Sequence, residues 1–177
     1  KIDNIVEQML FYARSDSVEK DYFVKKVLLE DVVHTAIMNY MDSLIQKKIS
    51  LDVYNLENYV YIDEKWITFI ICQVLQNSIK YLNKPEKVIK IHSENNKNNV
   101  VLVIEDNGEG ILDHDLPRVF EYGFTGTDRQ KQYSTGIGLY LCKKLCNKMN
   151  LDIKIESQYK KFTKVKIIFP KTNLYRQ

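Results

Sequence analysis

The run "WITFIICQVLQNSIKYL", Trp66 to Leu82, constrains this chain more than any other stretch. Its apolar residues Ile70, Ile71, Val74, Leu75 and Ile79 recur at helical spacing, which predicts a helix bound for a core. Residues three and four apart share a helix face, so Gln73, Asn77, Lys80 and Tyr81 form one polar stripe along it. Such a stripe needs water or a polar neighbour. Taken alone it reads as a solvated face, the ordinary place for Gln and Lys.

Two glycine pairs shift that balance. In "EDNGEGI", Glu105 to Ile111, a carboxylate at a predicted strand end is followed by Gly108 and Gly110, where the backbone can bend tightly and approach a ligand. By itself this could be an ordinary Asp-Gly turn. In "STGIGLYL", Gly136 and Gly138 open a helix, and a glycine loop at a helix N-terminus offers unpaired N–H groups to phosphate oxygens. Neither pair completes G-x-G-x-x-G after a suitable strand, and G-x-x-x-x-G-K-[ST] is absent, which excludes the P-loop and dinucleotide-binding readings.

Around these pieces the pattern predicts an α/β domain. Ile2 to Ala13 carries Ile2, Ile5, Val6, Met9, Leu10 and Ala13 at helical spacing before the polar hinge "RSDS". "DYFVKKVLL" reads as a strand and "LEDVVHTAIMNYMDSLIQKK" as one helix with Val32, Val33, Ala36, Ile37, Tyr40, Met41 and Leu44 inward. Short strands at "ISLDVY" and "YVYI" lead to the first helix discussed. "KVIKIHSE" and "NVVLVIED", split by "NNKNN", form a hairpin that delivers Asp106 to a strand end. From Asn107 to Ser134 there is little periodicity beyond "LPRVFEY", and a loop that long in a compact domain is functional or disordered. The helix "GIGLYLCKKLCNKMN" and the hairpin "LDIKIES" plus "TKVKIIFP" complete the chain. The expected architecture is a two-layer α/β sandwich, three helices on a mixed, mostly antiparallel sheet, preceded by a separate helix.

Composition narrows function by exclusion. Of 177 residues, 45% are hydrophobic, enough for one full domain. The 26 basic and 23 acidic side chains are spread along the chain, so nucleic acid is not an expected partner. Cys72, Cys142 and Cys146 are odd in number, lack C-x-x-C spacing and read as reduced, buried thiols of a cytosolic domain, with no ligand set around them for a metal. No apolar run reaches the roughly 20 residues needed to cross a bilayer. The abrupt start within a helical pattern suggests a piece of something longer.

The order of these elements resembles the ATP-binding domain of sensor histidine kinases, of the gyrase, Hsp90, histidine kinase and MutL superfamily with its Bergerat-type fold. The pieces are "QNSIKY" (N box), "DNGEG" (G1 box), "FEYGF" (F box) and "STGIGLYL" (G2 box), spanning Gln76 to Leu141, with a similar layout from about Asp21 to Pro170. "YARSDSVEKDYFV", "FIICQVLQNSIKY" and "FEYGFTG...STGIGLYL" look most like the intramembrane-sensing kinases that respond to bacitracin and other antimicrobial peptides. The resemblance makes residues 1–16 the end of the second helix of the dimerisation and phosphoacceptor hairpin with its hinge, and 17–177 the catalytic domain.

It also implies roles. Asn77 would present its amide oxygen to Mg²⁺, a metal that takes few protein ligands. Gln73, one turn earlier, is a further metal candidate, although the family often has Asn there. Lys80 would neutralise phosphate charge, Tyr81 would lie against adenine or ribose, and Asp106 would accept from the adenine amino group. Gly108, Gly110 and Ile111 would border the base. Thr125, Gly126, Ser134, Thr135, Gly136, Gly138 and Leu139 would line the phosphates, with Phe120 and Phe124 anchoring a lid that is expected to be mobile when empty. Arg118, Arg129, Lys131 and Lys143 read as solvated charges.

The implied reaction is transfer of the ATP γ-phosphoryl group to a histidine nitrogen. His34, a helix residue expected near the core, His92 on a strand and His114 in a loop do not resemble the phosphoacceptor setting, so the chain alone is expected to bind ATP without phosphorylating itself efficiently. Related ATPases and serine kinases carry a Glu where Gln73 stands, and Gln cannot take up a proton. They remain the alternative, with a non-catalytic interaction module. Implied partners are the protein's own dimerisation and phosphoacceptor domain in a homodimer, a cognate response regulator and an ABC-type transporter. The implied location is the cytoplasmic side of a bacterial plasma membrane, below two upstream membrane helices.

Overall fold

A computed structural model describes residues 23–127 and 135–171. The helix expected over Ile2 to Ala13 and the boundary at residue 16 lie outside the described residues.

β1 (Lys25–Leu28) pairs antiparallel with β3 (Tyr59–Ile62) in a small ribbon. Between them come α1 (Leu29–Met38), α2 (Met41–Gln46) and β2 (Ser50–Tyr54). The single helix expected from Leu29 to Lys48 is therefore two. Asn39 and Tyr40, both weak helix formers, leave helical geometry at Tyr40 (φ −119°, ψ 9°), and Tyr40 N–H turns back to Ile37 O at 3.0 Å. The break lets Val32, Val33, Ala36 and Ile37 on one helix and Leu44 on the next both reach the core. α2 ends in a Schellman turn, with Lys48 at φ 54° and Ile49 N–H on Leu44 O at 2.9 Å. His34 is exposed, not near the core as expected, because it falls on the side opposite the buried residues of α1.

α3 (Glu64–Tyr81) is started by Asp63, whose Oδ1 accepts from Lys65 N–H at 3.0 Å and Trp66 N–H at 3.2 Å. Its apolar face, Trp66, Ile67, Ile70, Ile71, Val74, Leu75 and Ile79, is buried. β4 (Val88–Asn95) and β5 (Asn99–Asp106) form the predicted hairpin. A 3₁₀ turn (Leu116–Arg118), α4 (Gly138–Lys148), β6 (Asp152–Gln158) and β7 (Phe162–Pro170) follow. α4 stops at Lys148, two residues before the expected end at Asn150. Asn150 adopts φ 54° and Leu151 N–H reaches Cys146 O at 2.8 Å.

The main sheet runs β2-β4-β5-β7-β6, with β2 parallel to β4 and every other neighbour antiparallel. Period-2 alternation turns Ile89, Ile91, Leu102, Ile104, Ile153 and Ile167 toward the helices, where all are buried. The opposite face carries paired charges, Glu105 with Lys164 directly across the ladder at 2.8 Å and Glu156 with Lys166 on the diagonal at 2.5 Å. One face of the sheet thus packs against the helices and the other carries the charges, with Val101 and Val103 of central β5 buried there among their neighbours, in the expected two-layer sandwich. Cys142 and Cys146 are buried free thiols and Cys72 is half-buried. Burial pushes the Cys146 thiol up to about 12. No helix of the described residues is long and apolar enough to cross a membrane.

Candidate functional site

The last turn of α3 and the end of β5 meet at Asp106. β5 is central in the sheet, so its C-terminal residue is delivered inside the domain and Asp106 is 4% exposed. Ser78 Oγ donates to Asp106 Oδ2 at 2.7 Å, and Gly108 N–H donates to Oδ1 at 3.0 Å. Burial pushes the Asp106 carboxyl up to about 6, against the opposing pull of these two donors; nearby Glu105 raises it further and Lys84 lowers it. The group is a buried carboxylate with acceptor capacity left beyond its two donors.

The G1 loop is pressed against α3. Glu109 N–H donates to Tyr81 O at 3.1 Å. A Cβ on Gly108 would lie 2.8 Å from that same carbonyl and 2.6 Å from Asp106 Oδ1. Gly110 has φ +71°, and a Cβ there would lie 2.2 Å from Gln158 O. Both glycines are thus required by close backbone approach. The stripe residues Asn77, Lys80 and Tyr81 are half-buried beside this loop, and Gln73, one turn earlier, is buried. Lys80 Nζ sits 5.0 Å from the Tyr81 ring centre. The amide of Asn77 makes no hydrogen bond to another described residue.

A second group gathers at the start of α4. Gly136 has φ +67°, and a Cβ there would lie 2.3 Å from Gly123 C, while Gly123 N–H donates to Gly136 O at 3.1 Å. The F and G2 boxes are therefore in backbone contact, with Thr135 and Gly136 half-buried before Gly138 and Leu139 open α4. Phe120 packs against the core, as expected of an anchor. The Arg118 guanidinium lies 4.5 Å from the Phe124 ring centre and pairs with Glu121 at 2.9 Å, so it braces the F box and is not merely a solvated charge. Lys143 pairs with Asp152 at 2.9 Å. Thr125 is exposed and Gly126 half-buried. Ser134, Arg129 and Lys131, and with them part of the expected lid, lie outside the described residues.

Three positioning residues escaped the sequence reading. Ser78 carries the link to Asp106, and a Ser within the buried face of α3 was the available signal. Asn107 clamps the G1 loop to β4, accepting from Val88 N–H at 2.9 Å and donating to Glu86 O at 3.0 Å. Ser157 on β6 accepts from Ile111 N–H at 2.8 Å and donates to Phe162 O at 2.7 Å. Nothing local in the sequence marks the last two.

A shallow cavity of about 400 Å³ lined by Lys47, Leu82, Asn83, Lys84, Pro85 and Lys87 lies beyond the end of α3. None of the predicted site residues lines it. Its three lysines donate to the carbonyls of Ile79, Lys161 and Lys47 at 2.7, 3.0 and 3.1 Å, which cross-links the surface there.

A buried acceptor at a strand end, a helix face of amide, ammonium and phenol beside it, and glycines at both loops define a nucleotide-binding domain of the two-layer type. Residues 62–173 match the family described as histidine kinase-, DNA gyrase B- and HSP90-like ATPase, and the chain belongs to that family. It is 36% identical over 174 residues to the sensor protein BceS of Halalkalibacterium halodurans, covering 98% of this chain and 52% of BceS. It is 35% identical over 175 residues to the sensor protein kinase GraS of Staphylococcus aureus, covering 98% of this chain and 50% of GraS. The chain thus spans about half the length of these curated relatives. Among solved structures, the mycobacterial sensor histidine kinase MprB aligns over 82% of this chain and 97% of its own, with TM-score 0.72 and 20% identity. The catalytic domain of histidine kinase ThkA aligns over 84% and 98%, with TM-score 0.71 and 20% identity. These two share the fold.

Proposed function

We propose that this chain is the catalytic domain of a sensor histidine kinase and that it binds ATP between the α3 stripe and the two glycine loops. The observation that carries the reading is Asp106, a buried carboxylate pinned by Ser78 and Gly108 and lying against the helix that bears Asn77, Lys80 and Tyr81. A fixed acceptor of this kind suits the adenine amino group and opposes guanine, which presents a carbonyl at that position. Tyr81 and Ile111 border the base, and Lys80 faces the phosphates. Thr125, Gly126, Thr135, Gly136, Gly138 and Leu139 lie along the phosphate chain.

Mg²⁺ suits the site because the Asn77 amide has no hydrogen-bonding partner among the described residues and a single neutral oxygen is a sufficient protein ligand for this ion. Gln73 supports that position from the turn before. When bound, the ion would offset charge on the phosphate oxygens. The chain's own residues fix the base at Asp106, hold the ribose side against Tyr81 and keep the G1 backbone closed against Gln158. A histidine of the protein's dimerisation and phosphoacceptor domain receives the phosphoryl group, and a response regulator takes it onward. The likeness to the sensor protein BceS and the sensor protein kinase GraS supports the sensor-kinase reading, and the proposal extends to a homodimeric plasma-membrane protein whose catalytic domain is cytoplasmic, with antimicrobial peptides as stimulus and an ABC-type transporter as a further partner.

Calorimetric titration with a non-hydrolysable ATP analogue tests the reading. Saturable binding that is stronger than for the GTP analogue, needs Mg²⁺ and weakens in Asn77→Ala and Asp106→Asn is the expected result. A folded chain that binds neither nucleotide at millimolar concentration refutes it.

A further inference from the structure

Asp115 is 5% exposed, and no step of the nucleotide reading uses it. It sits on a tight turn, with its own N–H on Leu112 O at 2.9 Å and its carbonyl accepting from Arg118 N–H at 2.9 Å, so its side chain projects from a fixed support. Its Oδ2 accepts twice from one residue, from Thr127 N–H at 3.1 Å and from Thr127 Oγ1 at 3.1 Å. Oδ1 is buried without a hydrogen bond, 3.5 Å from His114 Nε2. The Thr127 hydroxyl in turn lies 3.0 Å from His114 Nε2, so an N–H there donates to the hydroxyl and the hydroxyl donates to the carboxylate. Gly126, at φ +88°, makes the reversal that aims Thr127 N–H back at Asp115.

A carboxylate withdrawn from water needs donors, and those that Asp115 accepts both come from the residue next to Gly126. It therefore closes the loop that contains the F box and sets where Thr125 and Gly126 lie relative to the G1 segment. We propose that Asp115 is a positioning residue for recognition of the nucleotide's phosphate chain, acting through Thr127 without touching the ligand. The inference rests on the proposed nucleotide site, and it separates two subsites: Asp106 serves the base, and the Asp115–Thr127 clasp serves the polyphosphate end.

The test compares the chain with Thr127→Val, Thr127→Ser, Asp115→Asn and Asp115→Ala, with a non-hydrolysable ATP analogue and adenosine as probes. Thr127→Val removes one bond to a charged acceptor at an exposed residue, so the fold should survive. Its affinity for the ATP analogue should fall about tenfold, while adenosine, followed by chemical-shift titration, binds as before. Thr127→Ser, which keeps the hydroxyl, should bind as the parent does. Asp115→Asn retains an acceptor oxygen toward Thr127 and should lose less than Asp115→Ala. Unchanged analogue affinity in Thr127→Val overturns the proposal, as does an equal loss for adenosine and analogue, which would make the clasp a general support only. A parent chain that binds neither probe sinks the nucleotide site and this inference together, an outcome distinct from any difference among the variants.

Discussion

The Ser78 hydroxyl and the Asp106 carboxylate, 2.7 Å apart, join the last turn of α3 to the end of β5 across a separation of 28 positions in sequence. Ser78 is buried as well, so neither group has water as a substitute. Ser78→Ala should lower stability by about 1–3 kcal/mol, the usual cost of stranding one buried partner. Urea unfolding measures it, and adding Asp106→Asn should give a loss smaller than the sum of the single losses, because the two sites share one bond. Additive losses would mean that the bond contributes nothing of its own.

Asp106 also makes stability depend on pH. Its carboxyl ordinarily ionises near 3.8 and is held up to about 6 in the fold by burial. Between those values the folded chain keeps a proton that the unfolded chain has released, so this group's contribution falls as pH rises from about 4 to about 6 and is level outside that window. The change is about 3 kcal/mol in order of magnitude. Asp106→Asn does not titrate, so the stability of the parent relative to this variant should drop across the window. Parallel curves for the two proteins would contradict the assignment.

Gly110 and Gly123 have nearly the same positive φ, +71° and +75°, but different surroundings. A Cβ at Gly123 meets nothing within 4 Å, whereas one at Gly110 meets the Gln158 carbonyl at 2.2 Å. Gly123→Ala should cost only the left-handed backbone strain, about 1–2 kcal/mol. Gly110→Ala adds a backbone collision and should cost clearly more, read as a lower thermal midpoint, with weaker nucleotide binding. Equal midpoints for the two variants would show that the turn between β6 and β7 yields freely.

Asn77→Ala should leave the fold intact, since the residue is half-buried and its amide bonds to no other described residue. The expected change is in metal dependence. Affinity for the ATP analogue in the presence of Mg²⁺ should fall to about that of the parent in chelator, and adding the metal should no longer help. A variant that still gains affinity from Mg²⁺ would place the ion elsewhere.

Lys164 and Glu105 form a 2.8 Å pair on the open face of the sheet, each side chain about a third exposed. Solvent screens such pairs, so Lys164→Ala should cost no more than about 1 kcal/mol, and less in high salt. Denaturation at two ionic strengths checks it.

Much of the candidate site was legible because its parts are local. The 3.6 period of α3 put Asn77, Lys80 and Tyr81 on one side, the strand alternation from Asn99 to Asp106 brought a carboxylate to a strand end, and the glycines marked close backbone approach before any partner was known. The break at Asn39–Tyr40 was missed because the apolar period carries through it, with Tyr40 and Met41 continuing the inward pattern. His34 was misplaced for a related reason. A histidine flanked by apolar neighbours looks buried until the helix is rotated against its sheet.

What the sequence by itself determined was most of the described elements, their order and the chemistry each presents, since those depend on spacing and turn residues within a few positions. Only the tertiary structure decided the partners. Ser78 with Asp106 and Ser157 with Ile111 are pairings between residues far apart along the chain, and Asp115 with Thr127 closes a loop that has no regular structure to predict it; all three answer the need of polar groups in the packed chain for a donor or acceptor. That need is a property of the packed interior, and no window of sequence contains it.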